Sequence, residues 1–165
     1  MIPECEASVC ARGEAMITID DLRRYVAPCG LVCRTCTSFG EGPVAQHSRE
    51  LQHWLEGFAP MAQAFSSFMP ALSEYPAFER VLACLAGGSC AGCREGGCPM
   101  PDCHVGPCAK SRGLDWCWQC AEFPCADPGF DGQLREVWLR ANERMRKLGM
   151  DAFWAEAGDK PHYGG

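Results

Sequence analysis

Residues 90–125 read CAGCREGGCPMPDCHVGPCAKSRGLDWCWQCAEFPC, placing thiols at Cys90, Cys93, Cys98, Cys103, Cys108, Cys117, Cys120 and Cys125. The run shows no sustained hydrophobic period, so neither a long helix nor a regular strand ladder organises it. Its order lies in the cysteine spacing. Two residues separate Cys90 from Cys93 and Cys117 from Cys120, which lets one tight turn aim both sulfurs at a single ion. Long irregular segments in compact domains are functional, disordered or, as here, candidates for ordering by ligation.

A second motif lies upstream, Cys29-Gly-Leu-Val-Cys33-Arg-Thr-Cys36. Together the two clusters hold eleven of the fourteen cysteines. All eleven are candidate metal ligands: Cys29, Cys33, Cys36, Cys90, Cys93, Cys98, Cys103, Cys108, Cys117, Cys120 and Cys125. Eight thiols can fill two four-sulfur sites, whereas three need a fourth partner. That partner is a thiol of the second cluster, a histidine such as His104 or His47, or an open position for solvent or substrate. His104 is the best placed histidine, although it reads more simply as a surface residue, and His53 and His162 have weaker claims. Cys84, in a helical stretch, reads as a small buried residue. Glycines beside the ligands (Gly30, Gly92, Gly96, Gly97) can turn the backbone and present amides to thiolates, Gly92 best of all.

A sulfur-only ligand set suits zinc, two or three ions, with an iron–sulfur cluster as the alternative. The upstream spacing is also that of radical enzymes using S-adenosylmethionine. The chain is too short for their barrel, and Thr35 stands where those enzymes carry an aromatic residue. The tight four-cysteine run of ferredoxins is absent, and so is any Cys-x-Cys of a metallothionein. No histidine or carboxylate is recognisably paired with a thiol, so catalysis has little support. An enzyme with an open metal position at Cys29/Cys33/Cys36 remains the third reading.

Composition points the same way. The hydrophobic content of 47% includes those fourteen cysteines, so apolar carbon alone is thin for a 165-residue core. Metal crosslinks would compensate. The net charge is −6 with every thiol neutral. Each zinc held by four thiolates adds −2, bringing two such sites to about −10, which disfavours nucleic acid. Arg135, Arg140, Arg144, Arg146 and Lys147 form a basic stretch interrupted by Glu136 and Glu143, most simply a solvated helix face. No apolar run reaches membrane-spanning length. The opening Met-Ile-Pro-Glu-Cys-Glu is acidic where a secretory signal is basic, so a cytoplasmic location with reduced thiols is expected.

The remaining sequence predicts a mainly α fold, small α or α+β, with helices joined by irregular cysteine-rich, metal-stabilised loops. Residues 1–15, holding Cys5 and Cys10, read as a flexible extension, with Met16 an alternative start. Residues 16–158 read as one domain and 159–165 as a frayed tail. Leu51, Trp54, Leu55 and Phe58 mark one helix, and Phe65, Phe68 and Met69 a short second one ended by Pro70. Pro76 starts a third, with Phe78, Val81, Leu82 and Leu85 as its apolar face, ended by Gly87-Gly88. Asp131 caps an amphipathic helix bearing Leu134, Val137, Trp138, Ala141, Met145 and Leu148, and Gly149 ends it before one further turn at 151–156. The helices between the clusters should fold back so that the clusters meet.

In order, Cys29–Cys36, Cys90–Cys93, Cys103–Ala109 and Cys117–Cys125 (Cys-x-x-Cys-x-Glu-Phe-Pro-Cys) resemble the signature of the domain of unknown function 3795 family, as does Arg-Lys-Leu-Gly-Met-Asp-Ala-Phe-Trp near the end. The resemblance spans roughly residues 25–155. It implies a small prokaryotic, cytosolic, zinc-binding protein with no established activity. The family's Ile-Arg pair is replaced by Val105-Gly106, and the additional terminal knuckle of some members is missing. The combined expectation is a metal-binding interaction or scaffold domain with a protein partner, no nucleic acid and no membrane.

Overall fold

The structure is a computed structural model that describes residues 17–96, 98 and 100–163. The extension holding Cys5, Cys10 and Met16, together with Gly97, lies outside the described residues. Among the described residues seven α-helices follow one another: α1 (Ile19–Tyr25), α2 (Pro43–Trp54), α3 (Ala59–Phe65), α4 (Tyr75–Gly87), α5 (Val105–Ser111), α6 (Gly132–Leu148) and α7 (Met150–Ala157). Short 3-10 turns occupy Pro70–Glu74 and Cys117–Gln119. Among the described residues there are no strands, only two isolated bridges, Val26 with Val32 and Phe39 with Cys90.

Local chemistry explains the boundaries. Thr18 and Asp21 form a reciprocal capping box that starts α1. Prolines stand in the first turns of α2, α3 and α4, where a missing amide hydrogen costs nothing. Pro60 and Pro70 thus open elements as well as closing the preceding ones. Asp131 is the N-cap of α6, but its side chain makes no capping hydrogen bond. Gly149 at φ +79° ends α6, and the further turn expected after it is an eight-residue helix.

The sulfur-rich half has two adjoining cores. One joins Leu22, Val26, Trp116, Met145 and Phe153; the other joins Ala27, Cys29, Val105 and Trp138. Five further thiols (Cys33, Cys93, Cys103, Cys117 and Cys125) pack against the second core, so sulfur fills space that carbon fills in most domains. In the other half α2 packs on α4 through Ala45, Ser48, Leu82 and Ala86. That pairing overturns part of the expected apolar face. Phe78 and Val81 are exposed, and so is Cys84, which reads as buried from sequence. The physical reason is helical geometry: Cys84 follows Leu82 by two residues, about 200° round the axis and so away from α2.

The Cys29–Cys36 loop and the Cys90 loop meet, as the folding back of the intervening helices requires. Cys90 N–H donates to the Ser38 carbonyl at 2.8 Å, and Gly40 N–H donates to the Cys90 carbonyl at 3.0 Å. Gly88, at φ +49°, leaves α4 so close to Gly40 that a Cβ at either position would strike backbone. Arg49 ties this junction by donating to the carbonyls of Ala86 and Gly40 at 2.9 and 3.1 Å.

Candidate functional site

Three backbone devices bring the thiols together. The first closes the Cys29 loop: Ala27 N–H donates to the Leu31 carbonyl at 2.9 Å and Cys33 N–H to the Tyr25 carbonyl at 2.7 Å. Gly30 makes the turn at φ +89°, and a Cβ there would lie 2.7 Å from Ala141 Cβ, so glycine is needed for both the turn and the approach to α6. The second device is Arg94. Its guanidinium donates to the carbonyls of Arg23, Val26 and Asp115 and stacks on Trp116 at 5.8 Å, pinning the Cys93 turn to the end of α1. The third docks the Cys117 turn: Cys117 N–H donates to the Pro28 carbonyl at 3.0 Å and Trp118 N–H to Asn142 Oδ1 at 2.9 Å.

Asn142 joins these pieces. It is 0% exposed, and its Nδ2 donates to the Cys29 carbonyl at 2.8 Å and the Trp138 carbonyl at 2.9 Å. One amide therefore links the first cysteine loop, the Cys117 turn and α6. Sequence reasoning passed over it. The available signal was a polar residue four positions after Trp138, inside the apolar stripe of α6.

The sulfurs fall into two neighbourhoods. In one, the Cys93 thiol hydrogen-bonds Cys33, which with burial pushes it well above the ordinary thiol range. Cys98 is pushed up to about 12, first by burial and then by the nearby sulfurs of Cys103 and Cys93. Cys29 lies beside Cys93 and Cys103, buried and pushed up to about 12 by that burial. The second neighbourhood is a small sulfur-walled cavity lined by Cys108, Cys117, Cys120 and Cys125 with Arg112, Glu122, Phe123 and Trp138. Burial pushes Cys117 up to about 11; the Trp138 indole N–H opposes that by favouring the thiolate, and the other three sulfurs reinforce it. Trp138 Nε1 is buried with no completed hydrogen bond, so the sulfur is the group it can serve. Arg112 Nη1 donates to Cys120 Sγ at 3.3 Å while Nη2 donates to Glu122 at 2.7 Å.

The other predicted residues are placed as follows. Gly92 N–H donates to Cys90 Sγ at 3.3 Å with Gly92 at φ +96°, the amide-to-sulfur contact that its position suggests. Gly30 N–H is instead used by the Ala27 carbonyl at 2.8 Å. Cys36 Sγ lies 3.9 Å from the Tyr163 hydroxyl. Cys29, Cys33 and Cys36 thus have different neighbours despite their tight spacing. His104 faces Asp127 at 3.3 Å on the surface, His47 faces Glu50 at 3.0 Å, and His162 Nδ1–H donates to the Val32 carbonyl at 2.9 Å. All twelve cysteines among the described residues are free thiols. Among those residues no three Cys, His, Asp or Glu side chains are disposed to close on one ion. No helix is long and apolar enough to cross a membrane among the described residues.

Residues 25–129 match a family described as protein of unknown function, DUF3795. No curated protein matches the chain, and no solved structure does.

Proposed function

The chain belongs to the DUF3795 family, and from the disposition of its thiols we propose that it is a metal-binding protein, with zinc crosslinking two sulfur-rich centres. One centre draws on Cys33, Cys93, Cys98 and Cys103, and the other uses Cys108, Cys117, Cys120 and Cys125. Zinc would supply closed four-sulfur crosslinks, turning irregular loops into fixed structure without a reaction. The observation that carries the reading is the second neighbourhood. Four thiols share one cavity wall, an unpartnered buried indole N–H sits beside Cys117, and a guanidinium donates to Cys120. Donors of that kind suit thiolates rather than thiols. Without a dication, burial makes Cys117 and Cys29 harder to ionise than an ordinary thiol; a bound dication reverses that preference.

Such an architecture serves as an interaction or scaffold domain. Helices α2 to α4 carry the apolar surface for a protein partner: Trp54 is 80% exposed, Phe68 68% and Val81 58%. Among the described residues neither Cys29, Cys33 and Cys36 nor the two proposed centres already close on one point, so a metal at any of them would draw its sulfurs together.

Metal analysis on protein expressed with ample zinc and iron, and purified without oxygen, tests the reading. The expected result is colourless protein with about two zinc ions per chain. Cys120→Ser should lose one ion and Cys93→Ser the other. A brown protein carrying iron and sulfide would replace zinc by a cluster. Protein without stoichiometric metal would overturn the proposal altogether.

A further inference from the structure

We infer that the groove between the Gly30–Thr35 loop, α6, α7 and the segment Lys160–His162 binds a small organic anion, a phosphate or carboxylate carried on a short apolar body. The groove encloses about 360 Å³ and is open to solvent on one side, which is within the size range of small-molecule sites. Its charge runs against that of the whole chain. Arg140, Arg144 and Lys160 line it, with His162 beside them, and the single acidic lining residue is Glu156. In a chain of net charge −6, that concentration of cations needs a reason. Arg140 and Arg144 lie four residues apart on α6, so both guanidinium groups rise from one helix face.

The groove already holds one carboxylate, because Arg144 pairs with Glu156. Arg140 and Lys160 have no carboxylate partner among the described residues, so their charge remains for a ligand. Thr35 also lines the groove, and its hydroxyl oxygen is buried without a hydrogen-bond partner. His162 uses Nδ1–H on the Val32 carbonyl, which leaves Nε2 as its remaining polar atom. Leu31, Val32, Val137 and Phe153 supply apolar wall for the ligand's body.

The other charged cavity shows the contrast. Around Asp20, Glu41 and Glu95 the cations are already engaged: Arg23 with Asp20 and Asp115, Arg24 with Glu41, and Arg94 with three carbonyls. Of these two cavities, the α6–α7 groove is the one that leaves cations for an incoming anion. Lys160, Pro161 and His162 form one wall of the groove. Asp159 pairs with Arg34, His162 holds Val32, and the Tyr163 hydroxyl meets Thr37 Oγ1 at 3.1 Å.

The inference does not depend on the metal reading. Its test is calorimetric titration of the full chain with phenyl phosphate, benzoate, inorganic phosphate and benzyl alcohol. Phenyl phosphate or benzoate should bind saturably below about 1 mM, and roughly tenfold or more tighter than inorganic phosphate or the neutral alcohol. Arg140→Gln and Lys160→Gln should each weaken that binding about tenfold. Arg135→Gln, which removes a cation stacked over Trp138 outside the groove, should leave it unchanged. No saturation with either organic anion, or an equal loss in Arg135→Gln and Arg140→Gln, would overturn the site. Inorganic phosphate binding as tightly as phenyl phosphate would overturn the organic part of the assignment.

Discussion

Replacing Asn142 with alanine should destabilise the chain far more than the loss of one small side chain suggests. The side chain is 0% exposed and makes three hydrogen bonds. The Trp138 carbonyl lies inside α6 and keeps its helical partner. The Cys29 carbonyl and the Trp118 N–H would lose the partner that Asn142 supplies. An unpaired buried backbone group costs roughly 1–3 kcal/mol, so two of them set the expected loss at about 3 kcal/mol. At roughly 2–4 °C per kcal/mol for a chain of this size, the melting temperature should fall by about 6–12 °C. Asn142→Asp should be worse at neutral pH. It keeps an acceptor for Trp118 but turns a donor into a carboxylate oxygen facing the Cys29 carbonyl, and buries its charge. Thermal and urea unfolding should be followed on chelator-treated and zinc-supplemented protein, because a bound metal adds its own stabilisation. Amide exchange at Trp118 gives the local readout and should accelerate. An alanine variant within about 0.5 kcal/mol of the parent, or an aspartate variant no worse than alanine, would refute the clamp.

Gly30→Ala should cost about 2–4 kcal/mol, because φ is +89° and the new methyl would meet Ala141 Cβ at 2.7 Å. Gly113→Ala has a similar φ of +64° but nothing within 4 Å, and should cost only about 1 kcal/mol, so equal melting points would reject the packing argument. In metal-free protein Cys29 resists ionisation to about 12 against 9.0 for an ordinary thiol. Its stabilising effect is full below pH 9 and is lost as pH rises toward 12; Cys29→Ala should flatten that alkaline decline in urea midpoints. Alkylation of native metal-free protein should reach exposed Cys84 and Cys108 first and Cys29 last, which mass spectrometry can rank. On the proposed zinc reading, Arg112→Gln, which removes the donor to Cys120 Sγ, should speed release of one of the two ions to a chelating dye about tenfold and leave the other unchanged.

The mainly helical class, the prolines that open α2 to α4 and the closing glycines were legible in the residues, because they follow from local backbone preferences. The cysteine clusters were legible too, as was the approach of the Gly92 amide to a cysteine sulfur, since a tight turn places amide and sulfur within a few residues of each other. Which thiols share a neighbourhood was not. Sequence spacing groups Cys29, Cys33 and Cys36, whereas the fold sets Cys33 against Cys93 and buries Cys29 beside Cys93 and Cys103. Likewise, the exposure of Cys84 depends on which side of α4 meets α2, and periodicity alone left that side open.

Sequence by itself therefore determined the composition of this protein: a helical chain whose irregular segments carry clustered thiols. Tertiary structure alone decided where that chemistry goes. It drew Cys108, Cys117, Cys120 and Cys125 around one cavity, set Asn142 between three segments, and gathered Arg140, Arg144 and Lys160 into a groove. The physical reason is range. Turn geometry and propensity act over a few residues, while the Asn142–Cys29 and His162–Val32 links join positions more than a hundred residues apart through burial and hydrogen bonds that no local pattern encodes.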